Sequence, residues 1–161
     1  MSLTVTSSMF SDGGRIPESM AYSGFGHSGG NQSPDLRWSG APPGTKSFAI
    51  TCYDPDAPTT VGFWHWILFN IPASTTSLPA GAGAPGKNPA GTVMGYTDFG
   101  TSAYGGPAPP PGPPHPYHFN VYALDIDKLD LGPGATGALV MFNVNFHTLG
   151  KGTLTGLYGG S

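Results

Sequence analysis

The chain has 161 residues and a net charge of −3, with 38% hydrophobic, 12% aromatic and only 9% charged side chains beside 26 glycines and 18 prolines. That length supports one domain, 1–161, with its own core; the apolar content excludes a disordered linker, and the sparse charge excludes a charged coiled coil. The six basic residues, Arg15, Arg37, Lys46, Lys87, Lys128 and Lys151, are scattered, which leaves no stripe to neutralise a phosphate backbone and argues against nucleic acid as a partner.

Met1 to Phe10 carries neither a basic nor a strongly apolar leader pattern, so a cytoplasmic location is the expectation. Gly24-Phe25-Gly26-His27-Ser28-Gly29 matches a dinucleotide fingerprint letter by letter, but Gly30, Asn31 and Pro34 follow it, where the fingerprint needs a helix to receive a pyrophosphate. Gly40 to Ser47 resembles a phosphate loop, yet Pro42 and Pro43 remove amides that would cradle an anion, and it reads as a turn. Ser47 to Tyr53 alternates Phe48, Ile50 and Cys52 with Ala49, Thr51 and Tyr53, as a strand does. Cys52 is the lone cysteine, which excludes an intrachain disulfide and a multi-thiolate metal site.

Phe63 to Ile71 is apolar on both faces, the pattern of a central strand, and is too short to span a bilayer. Pro79 to Gly91 reads as an exposed, mobile loop. Tyr117 to Leu124 is a third strand and Thr153 to Tyr158 a last one. Ala138 to Leu149 is ambiguous. Val140, Phe142, Val144 and Phe146 alternate at period two, while Leu139, Phe142 and Phe146 fit a helical face; local propensity leans to strand.

The candidate chemistry lies at the strand ends. Asp54-Pro55-Asp56-Ala57-Pro58 places two carboxylates where prolines stiffen the chain. His115 and Tyr117, two apart in an extended run, emerge on one face of a sheet. With His65 they supply carboxylates to orient imidazoles, and two imidazoles and a phenol to meet a small anion. The same residues also admit plain structural roles: carboxylates capping turn amides, a tyrosine packed in the core, and histidines satisfied in a strand.

Asp54-Pro55-Asp56-Ala57-Pro58-Thr59, Trp64-His65-Trp66 with Asn70-Ile71-Pro72, and Tyr104-Gly105-Gly106-Pro107 through Pro110-Pro111-Gly112 to His115-Pro116-Tyr117 resemble the phosphatidylethanolamine-binding protein family in its short bacterial and archaeal, Raf-kinase-inhibitor-like branch. Asp12-Gly13-Gly14, Ile16-Pro17, Ser33-Pro34, Trp38-Ser39-Gly40 and Gly156 to Tyr158 extend the likeness over nearly the whole chain. The resemblance implies a mainly β fold, two antiparallel sheets in a β-sandwich with one or two short helices, and a helix at Ala138 to Thr148. It implies a pocket lined by Asp54, Asp56, His65, His115 and Tyr117 and rimmed by Gly106 and Pro107. It also implies a cis bond at Ala57-Pro58.

By the same resemblance the protein is expected to bind phosphate, phosphorylated small molecules or lipid head groups, to need no cofactor or metal, and not to be an enzyme. A kinase or protease partner and a homodimer are further expectations. Two other readings stand beside this one: a metal-assisted hydrolase holding zinc on His65, His115 and an Asp, and an inhibitor acting through its surface alone. The sequence departs from the family where Pro116 replaces the usual arginine, which removes a cation and a donor. It ends at Tyr158-Gly159-Gly160-Ser161, where animal members carry a further segment, so a more open pocket is expected. Anion binding is expected to strengthen below about pH 6.5 as His65 or His115 takes up a proton.

Overall fold

Alternating apolar residues need two cover layers when both faces of a strand are hydrophobic, and the chain supplies both. In the computed structural model residues 2–160 are described; Met1 and Ser161, the ends of the expected domain, lie outside the described residues. The elements are β1 (Thr4–Thr6), a 3-10 turn (Glu18–Met20), β2 (Ser23–Gly24), β3 (His27–Ser28), β4 (Leu36–Ser39), β5 (Ser47–Asp54), β6 (Phe63–Pro72), β7 (Ser77–Leu78), β8 (Val93–Met94), β9 (His115–Leu124), α1 (Gly137–His147) and β10 (Thr148–Tyr158).

The fold is mainly β with one α-helix, but the expected two sheets are three among the described residues. A five-stranded sheet has the order β10-β9-β5-β6-β8, a three-stranded one β1-β4-β7, and β2 pairs with β3 alone. Phe48, Ile50, Cys52, Trp66, Leu68, Phe119 and Val121 on one face of the large sheet pack with Val5, Leu36, Trp38 and Leu78 of the small one. Ala49, Ile67, Phe69, Tyr122 and Leu124 on the other face pack against Val140 and Val144 of α1.

The segment at 138–149 settles as helix up to His147, against its alternation, and Thr148 and Leu149 open β10. Thr136 caps it by accepting a hydrogen bond from the Leu139 amide at 3.2 Å, and the buried residues Gly137, Val140 and Val144 recur at helical spacing. Its face of Leu139, Phe142 and Phe146 is turned to solvent, where the two phenylalanines meet edge to face. The loop expected at 79–91 is only partly exposed. Ala82 and Gly83 are buried, and Gly83 is stitched to the Ser33 hydroxyl and the Tyr104 amide, each at 2.8 Å. The Ala57-Pro58 bond is trans, as no cis peptide occurs among the described residues. No helix among them is long and apolar enough to cross a membrane.

Register between β5 and β6 slips twice, between Phe48 and Ile50 and between Cys52 and Tyr53. At the first slip Asn70 is the extra residue, with φ at +62°. Its side chain ties the bulge to the segment after β9: the Leu129 amide donates to Oδ1 at 2.8 Å and Nδ2 donates to the Leu129 carbonyl at 3.3 Å. The bulge returns Ile71 to the face of Leu68. Asn70→Ala loses both bonds and leaves an unsupported side chain in the left-handed region, and is expected to lower unfolding free energy by about 2–3 kcal/mol in denaturant titration. Asn70→Gly, which adopts that conformation freely, is expected to cost about 1 kcal/mol less than the alanine variant.

Candidate functional site

The second slip builds the site. From Cys52 to Tyr53, β5 advances one residue while β6 passes from Trp66 to Trp64, so His65 is the extra residue of a bulge. Regular alternation would put His65 on the α1 face. The bulge instead sends Trp64 there, against Tyr53 with ring centroids 4.4 Å apart, and His65 joins Tyr117 on the other face at 5.1 Å. His115 follows from β9, two residues before Tyr117 and on the same side.

These groups meet at a cavity of about 400 Å³. Asp54, His65, His115 and Tyr117 line it, together with Thr59 and a largely apolar wall of Phe25, Phe63, Phe99 and the prolines 109–111. The other three sequence-predicted residues do not line it. Asp56 is exposed and its amide donates to Asp54 Oδ1 at 2.8 Å. Gly106 is buried and donates to Asn31 Oδ1 at 2.8 Å; a side chain there would collide with the Met20 carbonyl. Pro107 is buried and its carbonyl accepts from the Tyr22 amide. Both readings of Asp54 hold at once: Oδ1 caps the turn, and Oδ2 accepts from His115 Nδ1 at 2.7 Å.

Hydrogen bonding assigns the protons. His65 Nδ1 lies 2.8 Å from the Gly105 carbonyl, which can only accept, so Nδ1 carries the hydrogen and Nε2 a lone pair in the neutral ring. The carboxylate at His115 Nδ1 imposes the same tautomer there. The neutral site therefore presents imidazole lone pairs, and the two imidazole donors expected from the sequence are absent until a proton arrives. Burial pushes the His65 pKa below its ordinary value, more than the Gly105 carbonyl and the Asp54 charge raise it, so the fold resists a proton on His65. Tyr117 is pushed up, first by burial and then by the Asp54 carboxylate, and keeps its hydroxyl proton. Burial and Asp54 likewise raise the Cys52 thiol, which is an inert core group.

Among the described residues no three His, Cys, Asp or Glu side chains are grouped to hold a metal ion. The zinc set of His65, His115 and an aspartate thus finds no assembled counterpart.

The sequence pattern of the family described as Phosphatidylethanolamine-binding protein matches residues 6–159. The chain belongs to that family. It is 48% identical to the UPF0098 protein YbhB of Escherichia coli over 148 residues, covering 91% of this chain and 94% of the relative. A UPF0098 protein of Methanothermobacter thermautotrophicus is 46% identical over 149 residues, 92% of this chain and 93% of its own. The crystal structure of Escherichia coli YbcL, described as a new member of the mammalian PEBP family, superposes with a TM-score of 0.97 at 45% identity over 100% of both chains. A PEBP homolog from Chlamydia trachomatis, CT736, does so at 0.83 and 29% identity over 99% of both.

The apolar wall of this phosphatidylethanolamine-binding protein family member went unread in the sequence. Phe25 sits in the rejected Gly24 to Gly29 fingerprint, and a large aromatic between two glycines at a loop tip was the available signal.

The buried His65 also makes a stability prediction. In the unfolded chain it protonates near about pH 6.5, whereas the fold resists that proton, so lowering the pH through this value favours unfolding. His65→Gln is expected to show a smaller fall in thermal midpoint than the natural protein between about pH 7.5 and about pH 5.5, measured by calorimetry.

Proposed function

We propose that the cavity binds a small oxyanion, the phosphate of a phosphorylated small molecule or lipid head group, with uptake of a proton at His115. The observation that carries this reading is the 2.7 Å pair between His115 Nδ1 and the buried Asp54. An imidazolium there is compensated by its own carboxylate, and its Nε2–H becomes a charge-assisted donor inside a largely apolar cavity. Tyr117, which keeps its hydroxyl proton, lines the same wall. The family's printed name, which describes phosphatidylethanolamine binding, agrees with a phosphate-bearing ligand.

Asp54 also limits the affinity. Its charge repels a dianion unless His115 is protonated, and Pro116 brings no cation to the strand. The function is one of binding, and no catalytic step is assigned to these residues.

Sulfate isolates the protein's own proton, because it stays a dianion across the neutral range. Calorimetric titration is expected to show sulfate binding more tightly at about pH 6 than at about pH 8, with heats that vary with buffer ionisation as a proton is taken up. His115→Gln is expected to weaken binding at about pH 6 roughly tenfold or more and to flatten the pH dependence. Tighter binding at the higher pH, or an unchanged profile in His115→Gln, overturns the proposal.

A further inference from the structure

The cavity is larger and more apolar than an oxyanion needs. Inorganic phosphate displaces the volume of roughly two to three waters of about 30 Å³ each, against about 400 Å³ here. The surplus is walled by phenylalanine and proline, a lining suited to a hydrocarbon group attached to the anion.

Phe25 is the odd member of that wall. It stands at the tip of the β2–β3 hairpin, in a two-residue loop in which Phe25 and Gly26 have φ of +50° and +83°. That pattern belongs to turns where Asn, Asp or Gly is favoured and a bulky side chain is strained. Phe25 is also 73% exposed. Stability thus argues against phenylalanine here twice, through backbone conformation and through an apolar ring left in water.

The hairpin is nevertheless held firmly over the site. Phe25 stacks on Tyr22 at 5.4 Å, and Tyr22 stacks on Phe99, another wall residue, at 4.2 Å. His27 Nε2 lies 3.0 Å from the Pro109 carbonyl, and the Tyr22 amide donates to the Pro107 carbonyl at 2.9 Å. An unfavourable ring fixed by such anchors on the cavity wall is a preorganised contact surface.

We infer that Phe25 is a specificity-determining residue that selects oxyanions carrying a flat apolar substituent, the class of aryl phosphate monoesters, over bare or methyl-substituted ones. The inference rests on the oxyanion reading of the cavity. The oxyanion takes the end formed by His115 and Tyr117, and the substituent lies against Phe25.

The test is calorimetric titration of methyl phosphate and phenyl phosphate at about pH 6 into the natural protein, Phe25→Asn and Phe25→Leu. Phenyl phosphate is expected to bind the natural protein about tenfold more tightly than methyl phosphate. Asn suits the turn, so Phe25→Asn is expected to keep or raise the thermal midpoint while bringing the ratio within about threefold, chiefly through weaker binding of phenyl phosphate. Phe25→Leu, which keeps apolar bulk without a ring, is expected to fall between. Methyl phosphate bound as well as phenyl phosphate by the natural protein, or a preference that survives in Phe25→Asn, overturns the role of Phe25 and leaves the oxyanion reading standing. Absence of binding by either probe overturns both.

Discussion

The β-bulge at His65 is the constraint on which the site depends. A strand in strict alternation cannot place His65 and Trp66 on the same side of the sheet, and one inserted residue removes that restriction. The gain on the other face is Trp64, which meets Tyr53 and closes over Gly137 at the start of α1. The insertion thus serves the core beneath the helix and the cavity together. The bulge residue is also tied at both ends of its peptide and ring: the Gly105 amide donates to the His65 carbonyl at 2.9 Å while His65 Nδ1 donates to the Gly105 carbonyl. This reciprocal pair fixes the ring tautomer and anchors the glycine-rich loop in one step.

A chain with so few charges leaves the electrostatics of its cavity to very few groups. Asp54 is the buried carboxylate, and two neighbours share the work of holding it: the Asp56 amide on one oxygen and His115 on the other. A buried carboxylate held by donors is tolerated where an unpaired one is not. The same arrangement sets the sign of the cavity. The Asp54 carboxylate is the negative group of the cavity, and the His115 ring on its Oδ2 is the group placed to offset it.

How far the sequence disclosed this follows from where information is local. The long strands were legible at 47–53, 63–71 and 117–124 because their residues are largely apolar, aromatic or β-branched, and the structure lengthens them to 47–54, 63–72 and 115–124. The short strands β1, β4 and β7 pair across distant segments and carry too few residues for a periodic signal. At 138–149 two periods coexist in the same letters. The cap at Thr136 and the burial of Val140 and Val144 decide for helix, and the exposed Phe142 and Phe146 supplied the misleading half of the alternation. The likeness to the family marked Asp54, His65, His115 and Tyr117, which the fold brings to one cavity. Asp56, Gly106 and Pro107 have backbone duties beside it instead. The bulge itself left no mark that single-sequence reasoning could read, since an extra residue in a strand is visible only against its partner's register.

The cavity walls come from segments remote in sequence, and hydrogen bonds to the main chain of one loop tie them together. The loop from Tyr104 to Pro109 is held by the Tyr104 amide on Gly83, Gly105 on His65, Gly106 on Asn31, Pro107 on Tyr22 and Pro109 on His27. Asn31 serves this loop from a left-handed backbone, φ +50°, a strain of the order of 1 kcal/mol that persists because its side chain also reaches the Tyr104 carbonyl. A glycine- and proline-rich loop would otherwise lose much conformational entropy when a ligand ordered it. Here that cost is met during folding, so a loop rich in glycine and proline yields a wall already shaped before any ligand arrives.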